Sequence, residues 1–237
     1  ISNPPKIAQL DTPIMKNMSH FDRSVMPKAG TNPPIEVPKL WRETFDNGLK
    51  IIATQNNETP TVSLLLSMEG GSLLDPIHKA GLAALSASLM NEGTSTVSKE
   101  ELSNELAKLG SDISISASGR NTTIRVNSLV KSLDATLSLL LDMMMNPAFD
   151  KADFERVKNQ LIQSLDQGSK DSQTLAGRAL KQVTYGESSR IGLPSSGTIN
   201  TVSAIQLSDI KTFYKQYFSL RHASLVIVGD VSKSDIL

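Results

Sequence analysis

The chain has 237 residues, with 24 lysines and arginines balanced by 24 aspartates and glutamates, and no cysteine. A formal charge of zero argues against a nucleic-acid or anionic-membrane surface as its main business, because both need a concentrated positive field. The missing thiols exclude disulfides, cysteine nucleophiles and cysteine-ligated zinc, while 39% hydrophobic residues supply material for a substantial core. Aromatics at 4% leave little for base stacking. No apolar run reaches the roughly 20 residues of a membrane span. His20, His78 and His222 lie too far apart in sequence for any two to share a metal from one helical turn. The chain opens at Ile1 without a basic-then-apolar leader and reads as a piece of something longer.

Residues 1–38 hold seven of the eleven prolines and no hydrophobic period, which predicts a linker or extended arm. Ile14, Phe21, Val25 and Met26 give that arm something to dock with. From Trp41 the texture changes. Trp41–Phe45 and Leu49–Thr54 flank Asp46-Asn47-Gly48, predicting a hairpin with a type I′ turn. Thr61–Met68 reads as a central strand ended by Gly70-Gly71, and Ala80–Met90 as a buried helix, small on one side at Ala80, Ala83, Ala84, Ala87 and Ser88. Ser98 and Glu101 form a capping box for a helix to Leu109. Ser111–Ser118 alternates Ile113, Ile115 and Ala117 inward with serines outward, and pairs across Gly119 with Thr122–Val126. Helices follow over Leu133–Met145, from an Asp150 or Asp153 cap to Gly168, and over Ser172–Tyr185. A loop from Gly186 to Thr198 leads into one helix ending in Phe213–Phe218, then a strand, Ala223–Val228. Hairpins with helices segregated between them predict an α+β domain over 39–237: a mostly antiparallel or mixed sheet with helices on one face, not a Rossmann alternation.

The catalytic candidates fail one by one. Gly70-Gly71-Ser72 lacks the third glycine or Gly-Lys-Ser/Thr of a phosphate loop. Gly192–Gly197 has the wrong spacing for a nucleophile elbow, with Pro194 beside the serine. Glu100-Glu101 sit in a helix's first turn, where the dipole explains them, and Met143–Met145 read as core filler. Asp230 reads as a turn residue, His222 as a strand start at the sheet edge, and Arg190 as an exposed loop arginine, free to touch a partner but needing no special explanation.

Gly71-Ser72-Leu-Leu-Asp75-Pro76, then Gly81-Leu82-Ala83 and Asn91-Glu92-Gly93-Thr94, together resemble the pitrilysin and mitochondrial-processing-peptidase family of zinc peptidases. The resemblance continues through Phe154-Glu155-Arg156, Tyr185-Gly186, Leu193-Pro194 to Gly197-Thr198, Phe213-Tyr214 and Val228–Val231, covering residues 40–237. It implies an inverted H-x-x-E-H motif, two histidine ligands and a glutamate base on one helix, with a distal glutamate ligand some 75 residues on. In this chain those positions are Ala84, Ala87, Ser88 and Ser164, and a further acidic position falls on Val157. None is a ligand or a base.

The resemblance therefore implies a non-catalytic half, with no metal or cofactor in this chain and zinc only in a motif-bearing half on the same or a paired polypeptide. That half and unfolded peptide are the expected partners, and residues 1–38 become the linker between halves. The bacterial members imply a periplasmic or exported location. The alternative is a core-protein-like subunit that scaffolds a larger complex without proteolysis. Peptide contact would come by strand addition at an exposed sheet edge, with Ser111–Ser118 and Thr122–Val126 as candidate strands and Ser114, Ser116 and Ser118 as contact residues; both could equally be ordinary interior strands.

Overall fold

The first hairpin closes where the sequence turns. β1 (Trp41–Thr44) and β2 (Lys50–Gln55) pair antiparallel, Trp41 opposite Ala53. Of the Asn47-Gly48 pair only Gly48 takes positive φ, 84°, so the turn is not type I′ but a longer loop that Gly48 closes. Asn47 helps through its side chain, whose Oδ1 accepts the Leu49 N–H at 3.0 Å. The computed structural model describes residues 24–26, 28, 30, 31, 38–186 and 189–236. Two units divide the chain, Ile1–Val37 and Pro38–Leu237. The arm expected over 1–38, with Ile14 and Phe21, lies almost wholly outside the described residues.

β3 (Thr61–Glu69) is followed by two short 3-10 turns, Ser72–Leu74 and Ile77–Lys79, and then by α1 (Leu82–Met90). α2 (Lys99–Leu109) carries the expected capping box. β4 (Asp112–Ser118) and β5 (Asn121–Leu129) form the second hairpin. Three helices follow: α3 (Leu133–Met145), α4 (Lys151–Gly168), capped by Asp150, and α5 (Ser172–Tyr185). The single helix expected before Phe218 is two, α6 (Ile199–Ser203) and α7 (Leu207–Tyr217). The extended Gln206 breaks them and caps α7 in a box with Asp209, while Ile205 is driven into the core at the break. β6 (Ser224–Gly229) and a last turn, α8 (Lys233–Ile236), complete the chain.

The strands form one sheet in the order β1-β2-β6-β3-β5-β4. β6 enters between β2, to which it is parallel, and β3, to which it is antiparallel. His222 therefore precedes an interior strand, not one at the sheet edge, and sits with φ 60° where the chain enters it.

Burial assigns the faces. Ile51, Ala53, Val62, Leu66, Met68, Ile113, Ile115, Ile124, Val126 and Ile227 point to one side and are buried. Leu66, Met68, Ile113, Ile115, Ile124 and Val126 share one core with Leu85 and Leu89 of α1, Met143 of α3, Phe154 of α4 and Ile210 of α7, while Ile51, Ala53, Val62 and Ile227 form a smaller cluster with Val231. The opposite face carries Arg42, Lys50, Ser63, Arg125, Asn127, Ser114 and Ser116, all exposed, around a half-buried strip of Ile52, Leu65 and Val226. No residue on that face is buried among the described residues. Within Pro38–Leu237 the described residues make an α+β layer pair, helices on one side and a sheet face that none of them covers on the other.

Candidate functional site

α1 is the element on which the sequence places the family's chemistry, and its entrance is tightly built. The Asp75 side chain is fully buried and accepts the N–H groups of Gly81 and Ala83, each at 2.9 Å. It thereby does for the first turn of α1 what an N-cap residue does, from six positions upstream. Gly81 turns the chain with φ 98°, and a Cβ there would meet Ser196 O at 2.6 Å, so only glycine lets the 186–198 loop lie against the helix start. Thr201 Oγ1 donates to Ala80 O at 2.8 Å from the other side.

Arg190 comes from that loop. The sequence suggests an exposed loop arginine, but its side chain is only 15% exposed, and Nη2 donates to Ser72 O and lies 3.4 Å from Asp75 Oδ2. Burial pushes the Asp75 carboxyl up to about 6, against the Ala83 and Gly81 hydrogen bonds and the Arg190 charge, which all pull it down.

Along α1, Ala84 is half-buried, Ala87 is 3% exposed and Ser88 is exposed. Ser164 is exposed on α4, which packs against α1. Two methyl groups and two hydroxyls offer nothing that holds Zn²⁺, which takes imidazole, thiolate or carboxylate, and no base that could activate a water. Among the described residues no group of three or more His, Cys, Asp and Glu is placed to hold a metal ion. His78 lies in an exposed 3-10 turn before the helix. The residues present do not fit zinc.

The far end of α1 makes contacts that the sequence did not announce. Asn91 ends the helix on the face of Ala84, Ala87 and Ser88, being four residues beyond Ala87 and seven beyond Ala84. Its Nδ2 donates to Ala87 O at 2.8 Å and to Ile115 O at 2.9 Å, and its Oδ1 accepts the Ile115 N–H at 3.0 Å. Glu92, largely buried in the turn after α1, pairs with Lys99 of α2 and Arg156 of α4, so one carboxylate ties two helices together there.

The two candidate edge strands part company. β4 ends the sheet, whereas β5 lies between β3 and β4 and is interior. Ser114, Ser116 and Ser118 are exposed on β4, on the uncovered face. The functional residues that sequence reasoning missed are Asp75, Asn91 and Arg190. The first two stand inside the motifs quoted above, but a carboxylate or amide among loop residues carries no local signal of what it will bond.

Residues 50–193 match the family described as insulinase (peptidase family M16). The chain belongs to that family. Among M16 relatives, a non-peptidase homologue, YmxG, of Helicobacter pylori is 26% identical over 181 residues, covering 76% of this chain and 42% of that protein. A peptidase M16 inactive domain from Pseudomonas fluorescens superposes with a TM-score of 0.79 at 23% identity, over 84% of this chain and 48% of the other. The periplasmic protease PqqL from Escherichia coli gives a TM-score of 0.74 at 18% identity, over 84% and 23%. The chain thus has the fold of an M16 half-domain and spans less than half the length of each of these proteins. Some of its relatives are themselves described as non-peptidase or inactive.

Proposed function

We propose that this chain is the non-catalytic half of an M16 peptidase assembly, completing a peptide-binding chamber around a separate half that carries the zinc motif. The observation that supports the proposal is α1 itself: the Gly81–Met90 scaffold is intact, down to the Asp75 anchor and the glycine entrance, while Ala84, Ala87, Ser88 and Ser164, the residues that the resemblance puts at the ligand and base positions, can supply neither ligand nor base. A scaffold kept with its chemistry erased is suited to shaping a site rather than working one.

Two surfaces support pairing and peptide contact. α5 is inverted: Thr174, Arg178 and Gln182 are its half-buried residues, while Leu175, Leu180 and Val183 are exposed at 47%, 68% and 87%. An outward apolar stripe of this kind fits a chain that packs against further polypeptide. The uncovered sheet face, polar with a shallow apolar strip, and the β4 edge with Ser114, Ser116 and Ser118 suit main-chain contact with unfolded peptide, which tolerates many sequences. Residues 1–38 would link the halves, and the likeness to a periplasmic protease favours an exported location.

The test is zinc analysis and peptide hydrolysis with the purified chain, followed by hydrogen exchange on the chain joined to its motif-bearing half, with and without an unfolded peptide. The expected result is no stoichiometric zinc, no hydrolysis by the chain alone, and peptide-dependent protection in β4. Tight one-to-one zinc with peptidase activity would sink the proposal. Absence of peptide-dependent protection anywhere in the chain would favour a scaffolding role without proteolysis.

A further inference from the structure

Among the described residues β4 is the last strand of the sheet, with β5 its one strand neighbour. In an antiparallel ladder alternate residues direct both backbone groups away from the partner. Ile115 is such a residue, since its N–H and C=O are both taken by Asn91. The same alternation turns the backbone groups of Ile113 and Ala117 outward. A side-chain amide that accepts one N–H and donates one N–H across a strand edge supplies the acceptor and donor that the backbone C=O and N–H of one residue in an antiparallel neighbour would supply. Asn91 therefore stands where the backbone C=O and N–H of one residue in an added strand would stand.

Beside that point, between α2 and the first half of β4, lies an open groove of about 340 Å³ lined by Asn91, Lys99, Leu102, Asp112, Ile113 and Met143 among others. A strand laid against β4 would send alternate side chains into this groove and the others out beside Ser114 and Ser116. Edges of sheets are open templates that proteins blunt by several devices, and here the device is a single amide carried on the erased face of α1.

Resting on the peptide-contact reading of this chain, we infer that Asn91 is a built-in competitor for the β4 edge: it self-pairs with Ile115, and an extended peptide is admitted only by displacing it. The occupant is an extended peptide main chain, because the group already there imitates one. The amide uses both its donor hydrogens and its acceptor in three hydrogen bonds. Releasing the two to Ile115 sets the expected gain on removing Asn91 at roughly ten-fold in affinity.

The experiment compares the wild-type chain with Asn91→Ala, using as probe a labelled twelve-residue peptide of alternating valine and threonine flanked by lysines. Binding is read by fluorescence anisotropy, and the Ile115 amide by hydrogen exchange. Asn91→Ala is expected to bind about ten-fold more tightly, with Ile115 exchanging faster in the free variant and protected again by peptide. Equal or weaker binding by a folded Asn91→Ala overturns the inference while leaving peptide contact standing. Failure of both chains to bind overturns it together with strand addition. A variant that dimerises in the ultracentrifuge without gaining peptide affinity overturns the choice of partner. If Asn91→Ala does not fold, Asn91→Asp serves instead: it keeps an acceptor for the Ile115 N–H but sets a carboxylate against two carbonyls, and a smaller gain is expected, its absence counting against the inference.

Discussion

Arg190 and Asp75, 115 positions apart, meet beneath the first turn of α1, with Nη2 3.4 Å from Oδ2. The carboxyl also holds two N–H groups of the helix entrance, yet burial outweighs these partners and raises it from 3.8 to about 6. The folded state therefore binds this proton more tightly than the unfolded chain does. Stability from this group is full below about pH 4 and falls as pH rises through 6, by at most about 3 kcal/mol. Urea unfolding of the wild type and Asp75→Asn across pH 4 to 7 should give a difference that shrinks with rising pH. A difference that grows instead would mean that the carboxyl is held ionised, with Arg190 winning over burial.

Removing the arginine isolates a buried carboxylate and releases the Ser72 carbonyl. Breaking a buried pair from one side typically costs 3–5 kcal/mol. Nε and Nη1 of Arg190 have no partner among the described residues, so the native pair is imperfect and about 3 kcal/mol is expected for Arg190→Ala. Arg190→Lys should recover only part, because one ammonium cannot hold the carbonyl and the carboxylate with a planar fork. Equilibrium unfolding of the two variants at pH 7 checks both; an Arg190→Ala chain as stable as the wild type would return the residue to the exposed loop arginine that the sequence suggested.

Tyr214 fastens α7 to the end of α3. Its hydroxyl donates to Met144 O at 2.6 Å, and its ring stacks on Phe218 at 5.1 Å and meets Phe149 edge-on at 5.3 Å. Tyr214→Phe keeps the ring contacts and drops one hydrogen bond, leaving a carbonyl to find water, so a loss of about 1 kcal/mol is expected. Burial raises the Tyr214 hydroxyl above its usual 10, so the folded chain should lose stability as pH rises past 10. Thermal melts at pH 8 and 11 should show that extra loss in the wild type and not in Tyr214→Phe.

What the sequence made legible was local. The Ser98–Glu101 capping box, the inward Ile113, Ile115 and Ala117, and the helices over Leu133–Met145 and Ser172–Tyr185 are written in spacings of two to four residues, and the structure has them at those places. β6 between β2 and β3 is not legible, because no period in Ala223–Val228 says which strands will take it. Nor is the burial of Arg190, which depends on a loop more than a hundred residues away. The α6–α7 break was present in the sequence as Gln206 and Asp209, a cap in the middle of an apolar period, and the period alone hid it. At the site, the proposed ligand register of Ala84, Ala87, Ser88 and Ser164 rests on the resemblance, whereas the Asn91–Ile115 pairing needed the fold.

The register of the erased site can be tested by restoring it. With Ala84→His, Ser88→His and Ser164→Glu, two imidazoles four residues apart on α1 and a carboxylate on the packed α4 should bring back weak zinc binding, because His, His and Glu is a sufficient zinc set. The fourth change, Ala87→Glu, is of another kind. Ala87 is 3% exposed, so a glutamate there must force its chain and its charge into a filled position, at a cost of about 2 kcal/mol or more. The triple variant is therefore expected to melt near the wild type and bind zinc by equilibrium dialysis, and the quadruple variant to melt lower, regaining stability when zinc is added. A folded triple variant that binds no metal would show that Ala84, Ser88 and Ser164 do not converge, and the assignment of this helix to the M16 motif register would fall.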